Sequence, residues 1–100
     1  MPLYLDEIWL GWADAEGAKQ VLQQFRAMDT AQFPYPEGVA VKAGPWFSNE
    51  EAKIVLVLDI ADHAKTFTAF GIALARGWIV RRRLTPIVEF SELDKLIALL

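Results

Sequence analysis

The alternation of apolar and polar residues predicts a strand, a helix and then a loop in the first third of the chain. Leu3 to Leu10 is a largely apolar run of strand length that ends near Gly11. Asp14 is placed to cap a helix, because apolar residues then recur every three or four positions. These residues are Ala18, Val21, Leu22, Phe25 and Met28. The segment Phe33 to Gly38 contains two prolines, which cannot continue the helix.

A hairpin is predicted next. Gly38 to Phe47 and Lys53 to Ile60 are mainly apolar runs, and the polar, turn-forming residues Ser48 to Glu51 join them. Ile54 to Leu58 is apolar at every position, whereas a strand with one face in water alternates apolar and polar residues. Both faces of this strand therefore require cover.

The rest of the chain predicts a helix, a strand and a short final helix. Asp62 is placed to cap the second helix, and Gly77 to end it in the left-handed conformation. Trp78 to Glu89 is the predicted fourth strand, and Ser91 is placed to cap the last helix with Asp94 completing a capping box. The predicted buried face of the second helix comprises Ala64, Phe67, Gly71, Leu74 and Ala75, and that of the last helix comprises Leu93, Leu96, Ile97 and Leu100.

This order of elements predicts an α+β protein with a ferredoxin-like βαββαβ fold and an extra C-terminal helix. Residues 1–100 form one domain, in which two helices cover one face of a four-stranded antiparallel sheet. The other face of the sheet is left open. Two covers for it are compatible with the pattern. One is a second copy related by twofold symmetry; the other is the C-terminal helix folded across the open face of a monomer.

Composition and charge narrow the function classes. Apolar residues make up 54% of the 100 positions, and this share rises when glycine is counted in place of tyrosine, as in the average of roughly 45–50% for ordinary soluble domains. Part of the apolar surface is therefore expected to face another chain. The longest stretch without an ionisable side chain, Thr66 to Ala75, is too short to cross a bilayer. An acidic start at Asp6 argues against a secretory signal and favours the cytoplasm. The net charge of -3 argues against nucleic-acid binding.

Four short segments carry a family resemblance. They are Pro36-Glu37-Gly38-Val39, Trp46 on the same predicted strand, Asp59-Ile60-Ala61-Asp62 and Thr85-Pro86-Ile87. At these segments the chain resembles small bacterial proteins of the dimeric α/β-barrel superfamily, most of all an uncharacterised family within it. The resemblance implies a homodimer with a cleft or barrel interior in each subunit. Members of the superfamily include cofactor-free monooxygenases, small-ring isomerases, haem-degrading enzymes and proteins without known activity, so the shared fold leaves the chemistry open.

The candidate catalytic residues are His63, Glu7 and Asp6. His63 is the only histidine and the chain has no cysteine, so no metal site of the usual His- or Cys-rich kind is expected. A general-base role requires His63 to reach the mouth of a cleft; the competing interpretation is an exposed residue at the start of a helix. Asp6 and Glu7 are neighbours on a strand and must point to opposite faces of the sheet.

Arginines of the fourth strand are the natural partners of these carboxylates. The split βαβ order places the first and fourth strands side by side, with Arg82 on one face and Arg81 and Arg83 on the other. In a structural interpretation they form ion pairs and protect an edge strand from aggregation. In a functional interpretation an arginine of the open face receives a carboxylate or phosphate in bidentate fashion.

The aromatic residues complete the functional prediction. Four tryptophans in 100 residues lie mostly near strand ends, where they line a pocket or anchor an interface, and glycines are scattered singly rather than grouped in a phosphate-binding loop. We therefore predict a homodimer without a cofactor that binds a small apolar or anionic molecule in a cleft on the open sheet face. The predicted ligand-binding residues are Trp46, Lys42, Trp9, Arg81 and Arg83.

Two alternatives remain open at the level of sequence. One is a cofactor-independent oxygenase or isomerase acting on a small aromatic or lactone-like substrate, with Trp46, His63 and an open-face carboxylate as its minimum set of groups. The other is a protein-interaction module whose apolar face binds a partner.

Overall fold

The computed structural model describes residues 2–100 and contains the predicted elements in the predicted order. Two 3₁₀ turns, Ala27–Asp29 and His63–Thr66, extend the first helix and precede the second. The elements are β1 (Leu3–Leu10), α1 (Ala15–Arg26), β2 (Val39–Phe47), β3 (Lys53–Ile60), α2 (Phe67–Ala75), β4 (Ile79–Ile87) and α3 (Glu92–Leu99).

The four strands form one antiparallel sheet in the order β2-β3-β1-β4. This is the predicted ferredoxin-like α+β arrangement with a C-terminal helix. The register defines two ends of the sheet. At one end Leu3 pairs with Asp59 and Ile87, and at the other Trp9 pairs with Lys53 and Arg81.

One face of the sheet, the helix face, carries the core. Alternate residues of the central strands are buried there, including Leu56 and Ile60, which are 0% and 1% exposed. The remaining core residues are Ile8, Leu10, Val21, Met28, Ile54, Leu58, Ala73 and Ile79. The opposite face, called the open face below, carries the intervening residues of the same strands. Leu5, Val55 and Val57 are only half-buried there, because no element within residues 2–100 is laid across them.

Three of the predicted helix boundaries are confirmed by their local geometry. The backbone N–H of Gly17 donates to Asp14 Oδ1 at 2.8 Å, and that of Ala64 donates to Asp62 Oδ1 at 3.0 Å. Gly77 has φ +76° after α2, the left-handed conformation that a residue without a Cβ adopts most readily.

The predicted buried face of the second helix is wrong. Phe67 and Leu74 are 74% and 46% exposed, whereas Thr66 and Ala73 are buried. Thr66, Phe70 and Ala73 are themselves three or four residues apart, so the buried face is shifted by one residue from the predicted one. Because Phe67–Ala75 is apolar on nearly all sides, apolar spacing does not single out one face of this helix.

The last helix also differs from the prediction, since its apolar side is not buried. Leu96, Ile97 and Leu100 are 52%, 66% and 97% exposed, and the Ser91 side chain makes no capping hydrogen bond within residues 2–100. The radius of gyration is 15.4 Å, against about 13 Å for a compact domain of this length. The C-terminal helix therefore does not cover the open face of its own chain.

Within residues 2–100, no helix has both the length and the apolar character that crossing a membrane requires.

Candidate functional site

A groove of about 700 Å³ lies between α1 and the end of the β2–β3 hairpin. Its floor is made by core residues at the Trp9 end of the sheet, among them Leu10 and Ile54. Its volume falls within the roughly 300–1,000 Å³ typical of small-molecule sites. The residues lining it are Leu10, Ala15, Ala18, Lys19, Leu22, Gln23, Phe25, Arg26, Met28, Pro45, Trp46, Phe47 and Ile54.

The α1 wall of the groove exists because the apolar stripe of this helix is wider than the sheet can cover. Val21 and Met28 pack into the core, while Leu22 remains 40% exposed and faces the groove. Two cations, Lys19 and Arg26, stand seven residues apart on the same side of the helix and also line the groove. Neither has a carboxylate within 4 Å among residues 2–100.

The β2 wall is shaped by an irregular edge strand. The pairing of β2 with β3 shifts register twice between Val41 and Trp46. Gly44 lies within this stretch at φ +84°, and a Cβ built on it would approach the Val55 carbonyl oxygen to 3.0 Å. The strand then presents Trp46 and Phe47 at its end, 56% and 51% exposed. The irregular pairing of β2 thus leaves Trp46 and Phe47 exposed, and their side chains form this wall of the groove.

A second, smaller cavity of about 120 Å³ lies between the sheet and α2, beside a buried ion pair. Arg82 donates to both carboxylate oxygens of Asp6, at 2.9 Å through Nε and 2.7 Å through Nη2. Arg82 Nη1 also donates to Thr66 Oγ1 at 2.8 Å. Asp6 is 2% exposed, so its charge is satisfied almost entirely by this bidentate pair.

Tyr35 closes the loop side of this cavity. Its hydroxyl donates to the Met28 carbonyl oxygen at 2.9 Å, and its ring packs against Phe33 with centroids 4.7 Å apart. Burial, followed by the negative charges of Asp6 and Asp29, raises the pKa of the Tyr35 phenol above its ordinary value of 10.0. The phenol therefore remains a neutral donor across the physiological range.

A cluster of charges surrounds Trp9 on the open face. Lys53 Nζ lies 4.8 Å and the Arg81 guanidinium 4.0 Å from the centre of a Trp9 ring, so the indole is stacked between two cations. Lys53 also pairs with Glu7 at 2.8 Å and with Glu51 at 3.2 Å. We call these five residues the open-face charge cluster.

The ion pair between Lys53 and Glu7, the shortest in this cluster, makes the free energy of unfolding depend on pH. A hydrogen bond from Lys53 holds the pKa of the Glu7 carboxyl below its ordinary value of 4.5. Since the folded state then binds this proton more weakly than the unfolded state, the stabilisation is complete above about pH 4.5 and is lost as pH falls through the lowered pKa. We expect Glu7→Gln to reduce the loss of unfolding free energy between about pH 6 and about pH 3.

This effect is measured by urea unfolding of both proteins at the two pH values. Glu50→Gln is the control, because Glu50 is an exposed carboxylate without an ion pair in residues 2–100. An identical pH dependence in Glu7→Gln and the unmodified chain would contradict the assignment.

The predicted ligand-binding residues fall into separate places. Trp46 lines the groove, whereas Trp9 and Arg81 belong to the open-face charge cluster. Arg83 is 63% exposed in its side chain and lies 3.9 Å from Glu7 on the same face. Lys42 is exposed at a register shift of β2 and lines neither cavity.

The candidate catalytic residues are not brought together within one chain. Asp6 faces the helices and Glu7 the open side, as their adjacency predicts. His63 is exposed beyond the end of β3, while Trp46 pairs with Val55 near its start. At about 3.3 Å per strand residue, at least about 15 Å of strand separates these two positions.

Sequence reasoning missed the groove and the role of Lys53. Lys53 lies opposite Trp9 in the register, which is known only once β3 is paired with β1. The sequence does contain a signal for the groove. Lys19 and Arg26 are seven residues apart and therefore lie on one side of α1, next to an apolar stripe wider than the sheet can cover.

In residues 2–100, no three His, Asp or Glu side chains come together in a way that would hold a metal ion. Comparison of the chain with protein-family models, with curated proteins and with solved structures finds no match.

Proposed function

We propose that this protein is a homodimer that binds a small, largely apolar molecule in the groove between α1 and β2. The observation that carries the proposal is the groove itself, about 700 Å³ in volume and walled by Leu22, Phe25, Trp46 and Phe47. An apolar groove of this size exposes apolar side chains to water, so the free energy falls when an apolar molecule enters it and displaces that water.

The groove supports binding rather than a reaction. Within residues 2–100 its lining contains no carboxylate and no histidine, and its charged groups are the cations Lys19 and Arg26. The oxygenase or isomerase alternative needs His63 beside Trp46. In one chain these residues lie near opposite ends of β3, His63 after its last residue and Trp46 beside Val55 near its start.

The homodimer is supported by two apolar surfaces that the single chain leaves open. The open face presents Leu3, Leu5, Val55 and Val57 on its central strands, half-buried in the single chain. The C-terminal segment, Val88–Leu100, exposes a further set of large apolar residues: Val88, Phe90, Leu93, Leu96, Ile97, Leu99 and Leu100. Apolar surface of this extent on a folded chain marks an interaction site.

The ligand site is tested by blocking the groove. Gln23 and Gln24 are adjacent exposed residues of α1, but only Gln23 lines the groove. With the neutral fluorophore N-phenyl-1-naphthylamine as the probe, we expect one saturable site per chain. Gln23→Trp is expected to weaken probe binding about tenfold, which corresponds to about 1.4 kcal/mol, because the new indole occupies the space of the probe.

Gln24→Trp is the matched control, since it adds the same indole to α1 at a position outside the groove. It is expected to leave the probe affinity within about twofold of the unmodified chain, a difference of about 0.4 kcal/mol. Equal weakening by both variants, or no saturable binding to the unmodified chain, would refute the groove as the site. Light scattering on the same samples tests the dimer, with twice the mass of one chain as the expected result.

A further inference from the structure

The groove and the start of the C-terminal segment lie at diagonally opposite corners of the sheet. The groove adjoins Phe47 on β2, which pairs with Ile54. The C-terminal segment leaves the sheet after Ile87 on β4, the opposite edge strand. Five residues along the strands and three strand spacings across the sheet separate these corners by about 22 Å.

The C-terminal segment is too short to place Leu96 in the groove of its own chain. Its backbone already turns at Glu89, whose carbonyl oxygen accepts from the Glu92 N–H at 2.9 Å. From Ile87 to Leu96 the segment spans about 17 Å at most, given two extended residues and a helical remainder. Helices α1 and α2 also occupy the helix face across which such a path would run.

A second copy removes this shortfall. When two sheets pack crosswise through their open faces, a twofold axis that lies between them and runs perpendicular to this diagonal places each corner that carries Ile87 over the partner's Phe47 corner. Packed sheets are about 10 Å apart, so α3 has to pass only the β2 edge to reach the groove. Pro45 and Trp46 of β2 line the groove at that edge.

Charge and shape also fit this arrangement. The segment Val88–Leu100 carries three acids and one lysine, and Lys95 is already paired with Glu92 at 3.0 Å. The groove offers the cations Lys19 and Arg26, which form no ion pair within the described part of the chain. The helix α3 exposes an apolar stripe at positions i, i+3, i+4 and i+7, formed by Leu93, Leu96, Ile97 and Leu100.

We propose that α3 of a second copy closes the groove of each chain and contributes Leu96 and Ile97 to the ligand site. The ligand part of this inference rests on the proposed function, whereas the docking of α3 is measured without a ligand. A groove closed in this way holds a bound molecule between two chains, so ligand binding and dimer formation stabilise each other.

Because the chain has no cysteine, disulfide trapping tests the docking directly. Chains carrying Gln23→Cys are mixed with tagged chains carrying Leu96→Cys and mildly oxidised. Both positions are exposed in the single chain, so neither change disturbs its core. We expect at least about ten times more covalent heterodimer than with Gln24→Cys in place of Gln23→Cys, since a disulfide requires Cα atoms within about 7 Å.

Three outcomes would overturn the docking. They are equal trapping at Gln23→Cys and Gln24→Cys, preferential trapping of Leu96→Cys on Val57→Cys of the open face, and a disulfide inside one chain of the double variant Gln23→Cys/Leu96→Cys.

The contribution of α3 to the ligand site has its own measurement. Leu96→Asp/Ile97→Asp is expected to weaken binding of N-phenyl-1-naphthylamine about fivefold, or about 1 kcal/mol. Ala98→Asp adds a carboxylate at an exposed neighbouring position outside the stripe and is expected to leave binding unchanged. Specific trapping without probe binding to the unmodified chain refutes the ligand and upholds the docking. Probe binding without specific trapping refutes the docking alone.

Discussion

Replacing Arg82 by methionine is expected to lower the free energy of unfolding by about 3–5 kcal/mol, the cost of leaving a buried charge without its partner. Asp6 is 2% exposed and receives two hydrogen bonds from Arg82, so the variant leaves a buried carboxylate without either of these bonds. Thr66 loses a partner at the same time. In a domain of this size the melting temperature should fall by roughly 12 °C or more. Urea unfolding and a thermal melt measure both quantities.

Arg83→Met is the matched control for this variant. It removes the same group from the next residue of β4, where the side chain is 63% exposed and 3.9 Å from its carboxylate. A loss within about 0.5 kcal/mol is expected there. The double variant Asp6→Leu/Arg82→Met should regain most of the stability, because neither charge is then buried alone. Equal losses in Arg82→Met and Arg83→Met would show that the buried pair has no special role.

The second large effect is expected from Gly44→Ala. At φ +84° an L-residue costs about 1–2 kcal/mol. The new Cβ would also lie 3.0 Å from the Val55 carbonyl oxygen and 3.2 Å from Leu56 Cα, backbone atoms that cannot yield by changing rotamer. We expect a total loss of about 2 kcal/mol or more, measured by urea unfolding.

Gly71→Ala provides a control of opposite sign. Gly71 lies in α2, and a Cβ added there would meet no neighbouring atom of residues 2–100 within 4 Å, so alanine gains helix propensity without crowding. A gain of about 0.5–1 kcal/mol is expected. Gly44→Ala should also weaken binding of N-phenyl-1-naphthylamine, since Gly44 precedes the Pro45–Phe47 wall of the groove. Unchanged stability and binding in Gly44→Ala would contradict the role given to this glycine.

The boundaries of two strands were predictable because the relevant signals are local, whereas β4 ends at Ile87 and not at the predicted Glu89. Leu3–Leu10 and Lys53–Ile60 have the predicted bounds, and Asp14 and Asp62 form the predicted caps, since each capping bond spans only two or three residues. The predicted face of α2 is wrong because Phe67–Ala75 is apolar on nearly all sides, so apolar spacing does not select the side that packs on the sheet.

The candidate site was only partly predictable. Adjacent positions on a strand separate Asp6 from Glu7, and strand order places the arginines of β4 beside both carboxylates. Which arginine pairs with Asp6 was decided by the structure, in which Arg82 lies opposite Ile8 and reaches Asp6 diagonally. The Glu7–Lys53 pair was not predictable, because it depends on the register of β1 against β3. The composition of the two strands does not fix that register to the residue. Trp46 was identified as a ligand-binding candidate, although the groove that it lines was not.

The order of the elements and the caps at Asp14 and Asp62 can be read from the sequence, because these features follow from contacts between near neighbours. Which apolar residues remain uncovered depends instead on how elements distant in the chain pack together. Leu22 and Leu96 both continue helical stripes that predict burial, yet both are exposed, at 40% and 52%. The reason is physical: burial depends on what another element places opposite a side chain, and within residues 2–100 these two side chains receive no such cover.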